Sequence, residues 1–319
     1  MSLFIDFIST LSVVGIWPRF IEPRLVSTTY LDWSLSLANA HLDGLKIVQF
    51  SDLHFHKNVS DKFLDRVARR ILRAKPDVIL FTGDFICHSR LEERERLKNF
   101  LCRLHAPHGC FCIFGNHDYA NYVTRIRSGL YDVARPIHPF KGMVRGILTL
   151  LSSKQITSEI SAAAAATKQH DELISLLHET PFTLLENMTE TLPIGLNVTG
   201  LGDYSLGRCR PDTAFAGYLT HLPGLILSHN PDTFPQLLNY PGDWVFAGHT
   251  HGEQIHFPFP HFMRNLSRKL ARLEHSTYTR GLFHVGGKQL YVTRGIGGHK
   301  PFRLCSIPEI VVVTGKKCK

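Results

Sequence analysis

The sequence predicts an α/β fold wired by parallel strand–helix–strand units, and three observations predict it. Short apolar runs recur at Leu45–Phe50, Val78–Thr82, Phe111–Phe114, Leu225–Leu227 and Trp244–Ala247. Segments with apolar residues at helical spacing separate the first three of them. Within a residue or two of each run stands a polar motif: Asp52-Leu53-His54, Gly83-Asp84, Gly115-Asn116-His117-Asp118, Ser228-His229-Asn230 and Gly248-His249-Thr250-His251. In open α/β sheets the strand ends gather at one edge, where ligands bind.

The first sixteen residues are apolar but contain Asp6 and lack a basic start or a small-residue cleavage site. The run is shorter than the ~20 residues that span a bilayer, so it reads as a helix packed on the protein or lying at an interface, not as a signal. Leu45–Phe50 is continuously apolar with a β-branched centre, as a strand covered on both faces requires. From Asp61 to Lys75, Leu64, Val67, Ala68 and Ile71 recur at helical spacing behind Ser60, a natural N-cap, and Pro76 ends the segment. The same alternation carries Leu91–Leu104 into Cys110–Phe114, which implies parallel wiring.

After Tyr119 the rhythm breaks. Asn121–His170 shows no clean strand and contains five consecutive alanines, Ala162–Ala166. So long a segment is either a cap that shapes a pocket or a peripheral helical subdomain. Strands resume at Leu196–Leu201, Leu225–Leu227, Trp244–Ala247, Gln289–Thr293 and Glu309–Thr314. Between them Phe262–His275 places Met263, Leu266, Leu270 and Leu273 on one side and Arg264, Arg268 and Arg272 on another. Such a basic amphipathic helix suits an anionic membrane surface, or equally docks on the core with its arginines in water. Because the motifs run from residue 52 to 251, the expected organisation is one domain over 1–319, with insertions at about 121–170 and 262–275.

Lys and Arg total 36 against 27 Asp and Glu, a net charge of +9, which favours an anionic partner. The basic residues are not interleaved with stacking aromatics and no recognition motif appears, so nucleic acid is not expected. Seven cysteines without a Cys-x-x-Cys pair fit a reducing, cytoplasmic compartment rather than a disulfide framework.

The motif side chains offer oxygen and imidazole nitrogen, ligands suited to Mn, Fe or Zn. Two adjacent divalent cations need a bridging group, and Asp84, central in motif order, is the best placed carboxylate. Asp52 and His54 share a face if the segment is extended, and so do His249 and His251, with Gly248 permitting a tight turn.

The pattern D-x-H, G-D, G-N-H-D, H and G-H-x-H, complete and in order over about Leu45–Leu304, resembles the calcineurin-like metallophosphoesterase superfamily. That resemblance implies a four-layer α/β/β/α sandwich with helical insertions forming a cap. It assigns Asp52, His54, Asp84 and His251 to one metal, and Asp84, Asn116, His229 and His249 to a second. His117 is implied as the catalytic donor to the phosphoryl group or leaving oxygen, and Asp118 as its orienting partner. Two divalent ions, Mn²⁺ with Fe or Zn as alternatives, are implied for hydrolysis of a P–O bond.

The flanks Ile21–Arg24, His41–Val48, Gly286–Gly295 and Pro308–Ile310 resemble a bacterial branch associated with membrane phospholipid-type phosphoesters. With the apolar and basic insertions, the implied substrate is a lipid-linked nucleotide sugar. The expected reaction is cleavage of the pyrophosphate of UDP-2,3-diacylglucosamine in lipid A biosynthesis, at the inner face of the cytoplasmic membrane. An apolar cap suits acyl chains, since each buried methylene contributes about 0.8 kcal/mol. The alternative is another phosphodiester or phosphomonoester: a phospholipid, a nucleotide or a phosphoprotein.

Overall fold

Strands covered on both faces dominate the architecture. The computed structural model describes residues 12–126, 128–134, 157–256, 273–274, 277–298 and 302–317. Among them run β1 (Ser27–Leu35), β2 (Lys46–Phe50), β3 (Val78–Thr82), β4 (Cys110–Ile113), β5 (Val123–Arg125), β6 (Tyr131–Val133) and β7 (Phe182–Leu184). They continue as β8 (Met188–Leu192), β9 (Leu196–Gly200), β10 (Gly224–Leu227), β11 (Trp244–Ala247), β12 (Gly281–Val285), β13 (Lys288–Val292) and β14 (Glu309–Lys317).

One sheet has the order β1-β14-β2-β3-β4-β7, a second the order β12-β13-β11-β10-β9-β8, and β5 pairs with β6 alone. β2, β3, β4 and β7 are parallel, as are β9, β10, β11 and β13. The strands β14, β12 and β8 join antiparallel, so both sheets are mixed.

Period-2 geometry splits each inner strand between two cores. Ile47, Val78, Leu80, Phe111 and Ile113 meet Val198, Leu225, Leu227, Trp244 and Phe246 between the sheets. Their alternates Val48, Phe50, Ile79, Phe81, Cys110 and Cys112 pack beneath helices α1 (Asp61–Arg73), α2 (Arg94–Cys102) and α3 (Asp171–Leu177). On the far side Ile226, Val245, Leu290 and Val292 are covered by Ala214, Phe234 and Leu237, from short helical turns. The result is the α/β/β/α layering expected from the motif pattern.

Helix α1 forms for the reasons its sequence supplies. The Ser60 hydroxyl accepts from the Phe63 amide at 3.3 Å, and Leu64, Val67, Ala68 and Ile71 are its buried stripe. Arg70 and Arg73 sit in the last turn, where the helix dipole favours cations. Helix α2 is shorter than Leu91–Leu104, because Glu93 at its N-cap is left-handed and supplies no side-chain cap.

The Asn121–His170 expectation needs correction. Its described part carries β5 and β6, strands of three residues that are too short to display a period-2 pattern in sequence. Residues 135–156 lie outside the described residues, and so do 257–272 and 275–276, nearly all of the basic segment Phe262–His275. Of the latter, Leu273 is buried and the Glu274 amide donates to Asp232 Oδ2 at 2.9 Å. Of the helix expected over the first sixteen residues, 1–11 lie outside the described residues; a helix is described from Ser12 to Ile21, with Ile16, Trp17, Phe20 and Ile21 exposed. Among the described residues, no helix is long and apolar enough to cross a membrane, and the six described cysteines are unpaired.

Candidate dinuclear metal centre

The polar motifs sit where β2, β3, β4, β10 and β11 end, and the backbone there departs from strand geometry. Asp52 (φ 56°), His54 (45°), Asp84 (62°), His249 (68°) and His251 (51°) all occupy the left-handed region. Such non-glycine residues cost of order 1–3 kcal/mol each and persist only where the surroundings hold them. Neighbouring loops do so here: the amides of Asp52 and His54 donate to the carbonyls of Gly83 and Asp84 at 2.9 and 3.0 Å. This corrects the extended-segment reasoning for both Asp52/His54 and His249/His251, because left-handed turns, not strand alternation, aim these side chains inward.

Gly248 is likewise needed for space. Its φ is not left-handed, but a Cβ there would collide with Ser51 Oγ and Asp52 Oδ2. At Gly115 a Cβ would strike Asp84 Oδ1 and the His229 ring.

Seven expected ligands converge in two groups. The ligand atoms of Asp52, His54 and His251 lie within 4.8 Å of one another, and so do those of Asp84, His229 and His249. Nε2 of His54 faces Nε2 of His251 at 3.0 Å, and His251 Nε2 is 3.6 Å from Asp52 Oδ1. In the second group His249 Nδ1 is 3.2 Å from His229 Nε2. Asn116 Oδ1 joins it, 3.2 Å from His229 Nε2 and 3.1 Å from His249 Nδ1. Asp84 links the two: its Oδ2 is 3.4 Å from His54 Nε2 and 3.3 Å from His229 Nε2.

The supporting contacts orient these atoms as ligands. His229 Nδ1 donates to the Thr82 carbonyl at 2.8 Å, which turns Nε2 inward as an acceptor. Asn116 Nδ2 donates to the Val123 carbonyl at 2.6 Å, which places Oδ1 in the site. Burial opposes the charge on Asp84, yet His229, His117 and His54 hold its carboxyl well below the ordinary range. Burial, the largest cause, pushes His249 down to about 3, a neutral imidazole fit for ligation. Facing imidazole nitrogens, buried carboxylates and an inward amide oxygen suit divalent cations with oxygen and nitrogen preference.

A sequence profile described as calcineurin-like phosphoesterase matches residues 45–253. The chain belongs to the calcineurin-like phosphoesterase family. It is 44% identical over 302 residues to the UDP-2,3-diacylglucosamine pyrophosphatase LpxG of Chlamydia trachomatis, covering 93% of this chain and 92% of the relative. The LpxG of Chlamydia muridarum is similar to the same extent, 44% with the same coverage. An uncharacterized metallophosphoesterase of Bacillus subtilis, YkuE, is 28% identical over 94% of this chain and 89% of its own.

The family's divalent-metal hydrolysis thus has its candidate ligands in the two groups above. Its expected catalytic donor, His117, lies beside them. His117 Nδ1 accepts from the His88 amide at 2.9 Å, so in the neutral ring the proton resides on Nε2. The ring lies against Tyr122, centroids 3.9 Å apart.

Asp118 departs from its expected place. Its Oδ2 accepts from the amides of Asp84 (2.7 Å) and Gly115 (3.0 Å), and its Oδ1 from Ile86 (3.1 Å). The carboxylate therefore ties two motif turns together, and the His88 amide takes over the orientation of His117. Burial and the neighbouring Asp84 push the Asp118 carboxyl up to about 8, while these amides pull the other way.

The candidate site opens into a cleft lined by Asp84, Asn116, His117, Tyr122, Arg125 and His249, among others. Sequence reasoning missed Tyr122 and Arg125. Both follow the Gly115–Asp118 motif closely, but they fall in the stretch that showed no pattern.

Proposed function

We propose that the protein hydrolyses the pyrophosphate bond of UDP-2,3-diacylglucosamine, yielding 2,3-diacylglucosamine 1-phosphate and UMP in lipid A biosynthesis. The observation that carries this reading is the 44% identity to LpxG over 93% of the chain. That similarity spans 302 residues and so extends well beyond residues 45–253, which carry the metal motifs.

Asp52, His54, Asp84 and His251 would hold one ion, and Asp84, Asn116, His229 and His249 the other, with manganese as the metal. Such a pair supplies Lewis acidity toward phosphoryl oxygens and lowers the pKa of water for attack on phosphorus. The chain's own contribution follows from His117: its Nε2–H is the donor for the oxygen that leaves as the P–O bond breaks. The His88 amide keeps that ring oriented, and Asp118 holds the backbone of the Asp84 turn.

The substrate is drawn from the inner face of the cytoplasmic membrane. The exposed Ile16, Trp17, Phe20 and Ile21, interspersed with exposed Arg19 and followed by Arg24, support this, together with the +9 net charge. Apolar side chains flanked by cations bind anionic lipid surfaces. Sedimentation with phosphatidylglycerol vesicles should carry the protein down, and neutral phosphatidylcholine vesicles should not. Equal binding to both, or to neither, refutes the membrane assignment.

The substrate test is chromatographic. Purified protein with Mn²⁺ is expected to release UMP from UDP-2,3-diacylglucosamine far faster than it cleaves bis-p-nitrophenyl phosphate, and to lose both activities without metal. Preference for the generic diester would replace this reading with a broader phosphodiesterase.

A further inference from the structure

Four residues in succession, His251 (φ 51°), Gly252 (60°), Glu253 (71°) and Gln254 (56°), lie in the left-handed region. L-residues visit that region singly, and a run of them persists only where surrounding segments hold it. The run begins at an expected metal ligand, so whatever holds it also sets where His251 points.

The segment from Arg303 to Ser306 holds it. Ser306 is fully buried, and its hydroxyl donates to the His251 carbonyl at 2.7 Å, with the Gly252 carbonyl at 3.2 Å. The Leu304 amide donates to the Gln254 carbonyl at 3.0 Å, and the Leu304 carbonyl accepts from the His256 amide at 2.8 Å. The N-terminal segment fixes this strap in turn. The Arg303 amide donates to the Pro18 carbonyl at 2.8 Å. The Ser306 amide donates to Oε1 of Glu22 at 2.5 Å, and the Trp17 indole N–H donates to Oε2 at 2.8 Å. Glu22 is only 2% exposed. Burying a carboxylate is costly unless donors meet it, and the donors that meet this one come from segments far apart in the sequence.

We propose that Ser306 and Glu22 are positioning residues for His251, bracing the left-handed turn that aims this ligand at the ion expected with Asp52 and His54. The inference rests on reading His251 as a ligand. Ser306 fixes the His251 carbonyl, and Glu22 fixes Ser306. Trp17, on the exposed apolar face of the helix Ser12–Ile21, shares the Glu22 carboxylate. The helix assigned to the membrane surface is therefore also a structural part of the metal centre. Neither residue touches substrate or metal; both act through the backbone of the turn.

The test is calorimetric titration of metal-free, full-length protein with Mn²⁺, joined to hydrogen exchange at Ser12–Ile21. His251→Ala identifies the binding step that belongs to the braced ion. Ser306→Ala and Glu22→Ala should each weaken that step roughly three- to tenfold, the weight of one net hydrogen bond. The other step, which draws on Asn116, His229 and His249, should stay as in wild type and shows that the variants fold. Coupling is reciprocal, so Mn²⁺ should slow exchange at Ser12–Ile21 in wild type, a measurement that needs no variant, and should do so less in Glu22→Ala. An unchanged His251-dependent step in either variant, or wild-type exchange indifferent to Mn²⁺, overturns the brace and leaves the ligand reading standing. A His251→Ala protein that keeps both binding steps refutes the ligand reading, and the brace with it.

Discussion

The backbone N–H of His117 donates to Oδ1 of Asp84 at 3.0 Å. One carboxylate oxygen is thereby committed to the loop that carries the expected proton donor. The other oxygen is left to stand between His54 and His229, at 3.4 and 3.3 Å. This bond, together with the Asp84 and Ile86 amides held by Asp118, ties the turn of the expected proton donor to that of the expected bridging carboxylate.

Replacing Asp84 should remove both ions together. Asp84→Asn keeps the side-chain shape but loses the charge that offsets two cations, and Asp84→Ala loses both. Turnover should fall by at least about 10³-fold, the scale of a lost electrostatic catalytic group. Elemental analysis should show fewer than two metals per chain. Two retained ions would mean that Asp84 does not bridge.

His117→Ala should slow turnover by roughly 10²–10⁴-fold, the usual contribution of a general acid, with metal content unchanged. Loss of metal would instead make His117 a ligand. Restored turnover on a substrate with a better leaving group would mark its role as protonation.

Gly248→Ala should disturb the first ligand group from the backbone side, since the added methyl would meet Ser51 and Asp52. The expected result is weaker metal affinity, at least about tenfold, in a chain that still folds. Gly44→Ala is the control for an added methyl in a loop: it lies on a left-handed turn with nothing within 4 Å of the new Cβ, so it should strain the backbone and leave metal affinity alone.

Away from the site, Glu179 accepts from Arg94 and Lys98, and these bonds pull its carboxyl down to about 2 from an ordinary 4.5. A depressed carboxylate contributes stability that is present above its unfolded pKa and is lost as pH falls through the folded value. Glu179→Gln should therefore lower Tm slightly at pH 7 and low salt, with the difference closing between about pH 4.5 and 2. High salt should also shrink it, because the pair is exposed and screened. A difference that persists at pH 2 would assign it to packing.

Much of this molecule is legible in its sequence. Val78–Thr82 and Trp244–Ala247 appear with the expected bounds because a strand covered on both faces leaves a continuous apolar run. Ser60, the stripe from Leu64 to Ile71 and Pro76 together delimit α1 within two residues of its observed end. The strand β1 was not anticipated. It lies at the sheet edge with Tyr30 72% exposed, so it carries a mixed pattern that sequence periodicity does not separate from loop.

By itself the sequence determined the alternation of strands and helices and the identity of the side chains brought to one rim, since short motifs after apolar runs can only sit at strand ends. Tertiary structure decided how those side chains meet. The left-handed turns at Asp52, His54 and Asp84 are held by bonds between loops some thirty residues apart, and no local pattern encodes such a bond. The same holds for Asp118, which serves backbone amides instead of His117, and for Arg125, whose burial beside the metal ligands depends on where a three-residue strand is laid down. Local chemistry selects the elements, while left-handed backbones and buried charges exist only where distant segments close around them.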